Sequence, residues 1–329
     1  PGSPYTRKML AVLRYRRIPY RLLLGSHGGV GLPIPKVSLL PTFYFPDRDG
    51  QPEAVTDSTP IIRRLAAMYP SRSIRPSDPA LALVDALLED YGDEWLTKAM
   101  FHYRWHYEAD IARASDILPA WRMSRTSDAD LRAAGKGIAE RQIPRLRYVG
   151  SNEKTWGVIE ASYIRFLEAM EAHLREHRFL LGARPGAGDF GCYGQLTQLA
   201  CFDPTPMAIT LERAPRVYAW TTAMEDQSGV EPQDSDWFDP AALPVTLKAI
   251  LAEVGRVYVP LLLANARALQ NGSGEVRTEI DGKAWIQQPF PYQGKCLAWL
   301  REEYSALSAP ARKRADAALA GSGCEVLFV

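Results

Sequence analysis

Two stretches of this 329-residue chain place polar side chains directly before a predicted helix. Ser3 precedes a helix that begins at Pro4, where free backbone N–H groups and the helix dipole favour an anion. Asp57 and Ser58 precede a second helix, whose first N–H groups can also hold a charged group of a ligand. Ser and Asp are common helix caps as well. Each stretch alone therefore predicts either a charged-ligand site or a simple cap.

The elements that position these residues are predicted from apolar periodicity and turn residues. A proline-containing segment, Leu40-Pro41-Thr42, stands before the first strand of a predicted hairpin and is expected to hold a cis peptide bond. The expected order is α, β, β, β, α, with a glycine-rich loop after the first strand. The ranges are a helix over 4–16, a strand over 20–24, a loop over 25–35, hairpin strands over 40–45 and 51–55, and a helix from 58.

Beyond a boundary rich in Ser, Arg and Pro, the periodic segments up to Glu225 are nearly all helical. One segment, Gly182-Ala-Arg-Pro-Gly186-Ala-Gly-Asp189, predicts the start of a helix. The side chain of Asp189, the third helical residue, is expected to accept a hydrogen bond from the backbone amide of the N-cap residue. Gly186 occupies the position where a capping hydroxyl is common, which Gly also tolerates. This motif is evidence for the fold and not for the active site.

Taken in order, the Ser3-Pro4-Tyr5, Leu40-Pro41, Asp57-Ser58 and Gly182–Asp189 segments resemble the glutathione S-transferase family. The resemblance implies an α/β thioredoxin-like N-terminal domain followed by an all-α C-terminal domain. By the same resemblance, Ser3 would donate a hydrogen bond to the glutathione thiolate. Leu40 and Pro41 would meet the cysteinyl part of glutathione, and Asp57 and Ser58 its γ-glutamyl part.

The resemblance further implies an enzyme that conjugates glutathione, as co-substrate, to a small electrophilic substrate, and a homodimer. An aromatic-rich helical segment is expected to place most of its aromatic side chains in the core and about two in the substrate pocket, with Trp95, Phe101, His102 and Trp105 as the pocket candidates. Two alternatives remain open: a catalytically silent binding or regulatory protein on the same fold, and a glutathione-dependent lyase, isomerase or reductase. Ser rather than Cys at position 3 argues against the reductase.

Composition narrows the classes of partner. Lys and Arg number 39 against 38 acidic residues, a balance that gives no basic footprint for nucleic acid or anionic membrane. No apolar run is long enough to span a bilayer, and four scattered cysteines suggest a reducing, cytoplasmic location. The His102/His106 and His173/His177 pairs could share helix faces as metal ligands, but without a third ligand the expectation is no metal.

The chain departs from the family pattern at both ends. It begins within the Ser3 loop, so we expect a short preceding strand to be missing from this sequence, and a catalytic Tyr on that strand stays open. The expected domains are 1–75 (thioredoxin-like), 80–225 (all-helical) and an α+β extension, 226–329, packed on both. The extension is predicted to contain a helix over 241–269, an Asp281-Gly282 hairpin and a helix over 292–307. Two placements stay open: a hairpin that lies over the substrate cleft, or an extension that covers an exposed face or extends a dimer contact.

Overall fold

The computed structural model describes residues 2–23 and 31–329, so Leu24 and residues 25–30 of the predicted glycine-rich loop lie outside it. The N-terminal region consists of helix α1, a two-stranded antiparallel sheet and helix α2. Thr42 of β1 lies opposite Thr56 of β2, and the Leu40–Pro41 peptide bond is cis, as the sequence predicted. The bounds are α1 Pro4–Tyr15, β1 Thr42–Pro46, β2 Pro52–Thr56 and α2 Ser58–Met68.

The strand predicted over residues 20–24 is not present in the described residues. Residues 20–23 have no regular secondary structure, and Tyr20, Leu22 and Leu23 are exposed. A β-strand requires a partner for its backbone N–H and C=O groups. Without that partner, the apolar pattern of this segment does not produce a strand.

The second region is helical, as predicted. The aromatic-rich segment is divided between two helices, because at Trp95 the amide of Lys98 bonds to the Trp95 carbonyl in a tighter turn. Helices α5 (Glu108–Met123) and α9 (Pro204–Arg213) bury few side chains, which leaves little apolar periodicity in their sequences. The bounds are α3 Pro79–Glu94, α4 Leu96–His106, α5 Glu108–Met123, α6 Asp128–Gln142, α7 Trp156–His173, α8 Ala187–Leu199, α9 Pro204–Arg213 and α10 Pro215–Ala223.

Helix α8 begins with the predicted capping arrangement and with an addition that the sequence did not indicate. Asp189 accepts a hydrogen bond from the Gly186 amide (2.9 Å), as expected. Asp85 of α3 also accepts from the amides of Ala187 (3.0 Å) and Gly188 (2.8 Å). A Cβ at Gly186 would stand 2.5 Å from Asp85 Oδ1. A carboxylate from a neighbouring helix therefore replaces the usual capping side chain, and Gly186 leaves room for it.

The C-terminal part contains the predicted long helix, hairpin and final helices. In the hairpin, Val276 pairs with Gln287 and Ile280 with Lys283. Helix α11 packs against α7 and α3, while α12 and α13 pack against α3. The bounds are α11 Val245–Gln270, β3 Val276–Ile280, β4 Lys283–Gln287, α12 Pro291–Ser305 and α13 Ala309–Leu319, with 3₁₀ turns at Ile143–Val149, Asp234–Asp236, Pro240–Ala242 and Cys324–Phe328.

One large hydrophobic core joins all three parts of the chain. It includes Val12 from α1, Leu88 from α3, Phe166 from α7, and Val257 and Trp285 from the C-terminal part. All five side chains are inaccessible to solvent. No helix in the described residues is both long and apolar enough to cross a membrane.

Candidate active site

A cavity of about 430 Å³ lies where the N-terminal region, helices α3 and α4, and helix α12 meet. The N-terminal wall contains Leu40, Asp57 and Ser58, three of the residues singled out in the sequence. The opposite walls belong to α3 and to α12 of the C-terminal part. The remaining lining includes Tyr5, Arg63, Glu89, Asp90, Asp93, Glu94, Lys98, Tyr148, Phe290, Tyr292, Gln293, Cys296, Trp299 and Glu303.

Asp57 is held in an unusual backbone conformation at the start of α2. Its φ is +81°, in the region that non-glycine residues seldom adopt. One carboxylate oxygen accepts a hydrogen bond from the Thr59 amide (3.3 Å), which caps the helix. This geometry leaves the carboxylate at the cavity wall, beside the buried Ser58.

Tyr292 of α12 also holds the Asp57 carboxylate. The Tyr292 hydroxyl donates to Asp57, with its oxygen 2.9 Å from Oδ1 and 2.8 Å from Oδ2. Burial, reinforced by the negative charge of Asp57, raises the pKa of Tyr292 far above its ordinary value, so its proton remains available for this bond. The C-terminal part thus contacts the N-terminal wall through a residue that sequence reasoning did not select.

Ser3 caps helix α1, as its position predicts. Its Oγ accepts a hydrogen bond from the Thr6 amide (3.3 Å), and the side chain is partly buried. Ser3 is not among the residues that line the cavity, whereas Tyr5, two positions later, is. The Tyr5 hydroxyl donates to the backbone carbonyl of Asp93 (2.8 Å). Burial, followed by the carboxylates of Glu94 and Asp93, raises the pKa of Tyr5 well above its ordinary value.

The aromatic residues expected in the substrate pocket do not line the cavity. Trp95 is buried, donates to Ser162 Oγ (3.0 Å) and packs against Trp285 with ring centroids 5.4 Å apart. Trp105 packs in a small apolar cluster beneath α5 and α6, against which Phe101 also packs. These side chains follow the helical period because they pack into the interior.

The fourth of these residues, His102, belongs to a buried polar network. Its ring nitrogens lie 2.8 Å from Ser151 Oγ and 3.0 Å from Glu160 Oε1. Its side chain is inaccessible to solvent, and Tyr107 donates to the same Glu160 oxygen (2.6 Å). Both ring nitrogens of His102 are therefore occupied by structural contacts. The described residues contain no group of three or more His, Cys, Asp or Glu side chains arranged to hold a metal ion.

Pro41 and the predicted lid also lie elsewhere. Leu40 lines the cavity but Pro41, beside it, does not. The β3–β4 hairpin contributes no lining residue; it packs against α11, with Trp285 against Trp95. The prediction that the hairpin covers the cleft is therefore wrong, and helix α12 occupies that position. Val276, Ile280 and Trp285 lie on the same face of the hairpin, and this face packs against the core.

Comparison with known protein families matches two parts of the chain. Residues 1–73 match the profile described as Glutathione S-transferase, N-terminal domain, and residues 129–223 match Glutathione S-transferase, C-terminal domain. The chain belongs to the glutathione S-transferase family. A search of curated proteins gave no match to the chain.

The family assignment makes the C-terminal part the distinctive feature of this transferase-family chain. Neither family profile extends beyond residue 223. Yet the cavity lining includes Phe290, the residue directly before helix α12. It also includes Tyr292 and Gln293 in the first turn of α12 and Trp299 further along it. The α12 lining, like the lining from α3 and α4 between residues 86 and 98, thus lies outside both matched ranges, which supply the N-terminal wall and Tyr148 and Val149.

A run of acidic residues in α3 is the signal that sequence reasoning passed over. Glu89, Asp90, Asp93 and Glu94 stand in an otherwise apolar helical segment, at spacings that place them on one side of the helix. All four line the cavity. Charged residues at this density in a buried helix indicate a site, because burying a carboxylate without a partner is costly.

Proposed function

We propose that this chain is a glutathione transferase-like enzyme that conjugates glutathione to a small electrophile within the cavity. The convergence of Leu40, Asp57 and Ser58 on one cavity wall, in a chain of this family, carries the proposal. In it, the Asp57 carboxylate pairs with the γ-glutamyl ammonium. The Ser58 side chain and the first amides of α2 hold the γ-glutamyl carboxylate. Leu40 and Pro41 then meet the cysteinyl backbone.

We propose that Ser3 stabilises the thiolate of the bound glutathione. The Ser3 Oγ accepts a hydrogen bond from the Thr6 amide. The hydroxyl hydrogen is then free to donate to a thiolate next to the start of α1. The helix N-terminus adds a favourable electrostatic contribution. Once the thiol proton has passed to water, the thiolate attacks the electrophilic carbon and forms the carbon–sulfur bond. In a substitution the bond to the leaving group breaks and the group departs with the electron pair; in an addition the π electron pair moves to the neighbouring atom, which takes a proton from water. The Ser3 hydroxyl keeps its proton in both cases.

Two measurements test this function. The protein is expected to be retained on immobilised glutathione and to conjugate glutathione to a general electrophile. Ser3→Ala should lower turnover by about 10- to 100-fold while glutathione affinity is largely kept, because the donor acts on charge that the thiolate carries. Ser3→Thr, which keeps a capping hydroxyl, is the matched control. Equal turnover in Ser3→Ala and the parent would remove Ser3 from the mechanism.

A second candidate is a catalytically silent binding protein on the same fold. The contact between Tyr292 and Asp57 favours it, since a hydroxyl of the chain itself occupies the carboxylate that would meet glutathione. The carboxylate-rich cavity also opposes glutathione, which carries a net negative charge at neutral pH. Retention without turnover would support this candidate, whereas conjugation would exclude it.

For the molecule as a whole, we propose three structural units at 1–75, 80–225 and 226–329, assembled as a cytoplasmic homodimer. The four described cysteines are unpaired, which agrees with a reducing compartment. The family assignment supports the dimer, and light scattering of the purified protein measures it directly. A mass corresponding to one chain would exclude the dimer.

A further inference from the structure

The α3 wall of the cavity contains charges that the proposed glutathione chemistry does not use. Glu89, Asp90, Asp93 and Glu94 recur at i, i+1, i+4 and i+5, so they form two adjacent rows on one side of the helix. The first row is Glu89 and Asp93, and the second is Asp90 and Glu94. The two rows are neutralised to different extents.

Lys8 of α1 neutralises the first row from beneath. Its Nζ lies 2.6 Å from Glu89 Oε1 and 2.6 Å from Asp93 Oδ2, and its side chain is inaccessible to solvent. Burial lowers the pKa of Lys8, but Asp93 and Glu89 outweigh that effect and raise the pKa above its ordinary value. Lys8 is therefore a permanent cation committed to this row.

The second row lacks such a cation. Among the described residues, no Lys or Arg nitrogen forms an ion pair with Asp90 or Glu94. Asp90 accepts a hydrogen bond from the Tyr258 hydroxyl (2.7 Å), which carries no charge. The cation on the next helix, Lys98, donates instead to the Val149 carbonyl (3.0 Å) and Gln287 Oε1 (3.1 Å). Lys98, which also lines the cavity, acts on Glu94 only through space, and no cation of the described residues bonds to either carboxylate of the second row.

Two further acceptors at the same place have no donor. Gln293 Oε1 and Asp93 Oδ1 make no hydrogen bond to any part of the chain that the structure describes. Gln293 is 2% exposed and Asp93 7% exposed, and both line the cavity. Buried acceptors normally have hydrogen-bond partners. Together with the second row, these two oxygens form a group of acceptors; Arg63 and Lys98 also line the cavity, but no ion pair in the described residues joins either of them to this group.

The walls around this site are apolar, which favours a ligand with an apolar body, and the volume of the cavity limits the size of that ligand. Leu39, Phe290, Trp299 and Leu300 line the cavity on the sides facing α3. A volume of about 430 Å³ is within the range of pockets for small organic ligands. A compact inorganic cation would leave these apolar surfaces without contacts.

We propose that the space between α3 and α12 binds an organic cation, a primary amine or ammonium group on an apolar body. The ammonium hydrogens donate to Glu94, Asp90 and Gln293 Oε1, and the apolar body packs against Trp299 and Leu300. This site goes beyond the proposed function, because binding of the cation does not require glutathione. Where glutathione conjugation also occurs, the same site would select cationic electrophiles.

The proposal predicts that affinity increases with pH. Desolvation raises the pKa of Asp90 to about 7, and burial followed by the charges of Asp90 and Asp93 raises the pKa of Glu94. Both carboxyls release protons as the pH rises from 6 to about 8.5, while a primary amine stays charged with a pKa near 10. The charged or titratable groups that face Glu94 are Tyr5, Asp90, Asp93, Lys98, Tyr258, Tyr292 and Cys296.

Calorimetry on the full chain without glutathione tests the site with three probes of matched shape: phenylbutylamine, phenylbutanol and phenylbutyrate. The amine is expected to bind about 10-fold or more tightly than the neutral alcohol, and the carboxylate most weakly, since only the amine supplies charged donors. Equal affinity for amine and alcohol, or no binding of the amine, would overturn the proposal. Failure of glutathione retention would leave this result unaffected, so the two proposals are tested separately.

A variant locates the cation within the cavity. Glu94→Gln should weaken amine binding by about 10-fold and leave phenylbutanol binding nearly unchanged. Glu140→Gln, at an exposed position on α6, is the matched control. If Glu94→Gln does not fold, the pH series on the unmodified chain serves instead. Amine affinity that is flat or falls between pH 6 and about 8.5 would contradict the carboxylate site.

Discussion

The N-terminal region and the C-terminal extension use their apolar side chains differently. In the N-terminal region, Leu23, Ile34, Val37 and Leu39 are more than half exposed, and the sheet has two strands in the part of the chain that the structure describes. In the extension, by contrast, Val276, Ile280 and Trp285 of a sheet of the same size are fully buried. The hairpin of the N-terminal region, which a family profile matches, is thus the more open one. The hairpin of the extension, which neither profile reaches, is packed into the common core.

This difference shows that family membership and structural integration are separate properties. A two-stranded sheet is stable only when a hydrophobic face packs against something else. The β3–β4 hairpin meets that condition through α11 and Trp95, while β1–β2 contributes Phe45 as its one fully buried large side chain in the described residues. The extension is therefore a structural component of the fold and, through α12, one wall of the cavity.

Removal of the extension should have the largest effect. A chain ending at Glu225 loses α11, whose Leu251, Val254 and Val257 are fully buried in the main core. We expect loss of cooperative thermal unfolding and of solubility, because the surfaces of α3 and α7 become exposed. Circular dichroism during heating measures this, and a chain lacking only the exposed Val329 is the control. A truncated protein as stable as the parent would show that the extension is an independent attachment.

Single core substitutions sharpen the same comparison. Trp285→Ala should lower the free energy of unfolding by about 3–5 kcal/mol, the usual cost of removing a large buried aromatic side chain. Phe45→Ala, in the more open hairpin, should cost less, about 2–3 kcal/mol, since its surroundings collapse more readily. Urea denaturation gives both values, with the partly exposed Phe290→Ala as the control. A larger loss for Phe45→Ala would reverse the comparison.

Asp57→Asn tests the N-terminal wall. The variant should weaken glutathione binding by about 10-fold or more, because a charge-assisted hydrogen bond to the γ-glutamyl ammonium is lost. KM should rise while kcat is nearly kept, since this part of the ligand is the same in ground and transition states. Asn is chosen because it tolerates positive φ better than Ala does. Asp49→Asn, in the exposed turn, is the matched control; an unchanged affinity in Asp57→Asn would assign Asp57 to capping alone.

Tyr292→Phe tests the contact between the two regions and should have the smallest effect. The change removes one neutral hydroxyl that competes for the Asp57 carboxylate. Glutathione should bind about 2- to 10-fold more tightly, corresponding to about 0.5–1.5 kcal/mol. Tyr148→Phe, which removes a hydroxyl elsewhere on the cavity lining, is the control for a general effect. Weaker binding in Tyr292→Phe would mean that the hydroxyl helps to position Asp57 for the ligand.

The sequence by itself predicted the features that depend on neighbouring residues. Turn chemistry located both hairpins, and the apolar period located α1, α2 and α11 to within a few residues. The Gly182–Asp189 motif predicted the hydrogen bond from the Gly186 amide to Asp189, because both partners lie within one helical turn. Such interactions form between residues that the chain connects directly, so their spacing is visible in the sequence.

The tertiary structure alone decided which side chains meet across the chain. Asp85 caps α8 and Tyr292 reaches Asp57, contacts that span roughly 100 and 235 residues of sequence. The spacing of Trp95 and Trp105 is the same whether their helix face lines a pocket or packs into the core. Only the packing of the folded chain shows that both side chains are buried in the interior. Tertiary packing also determines which element of the extension forms a wall of the cavity: helix α12, and not the hairpin, packs against α3. A helical period records which face is apolar; it does not record what that face touches.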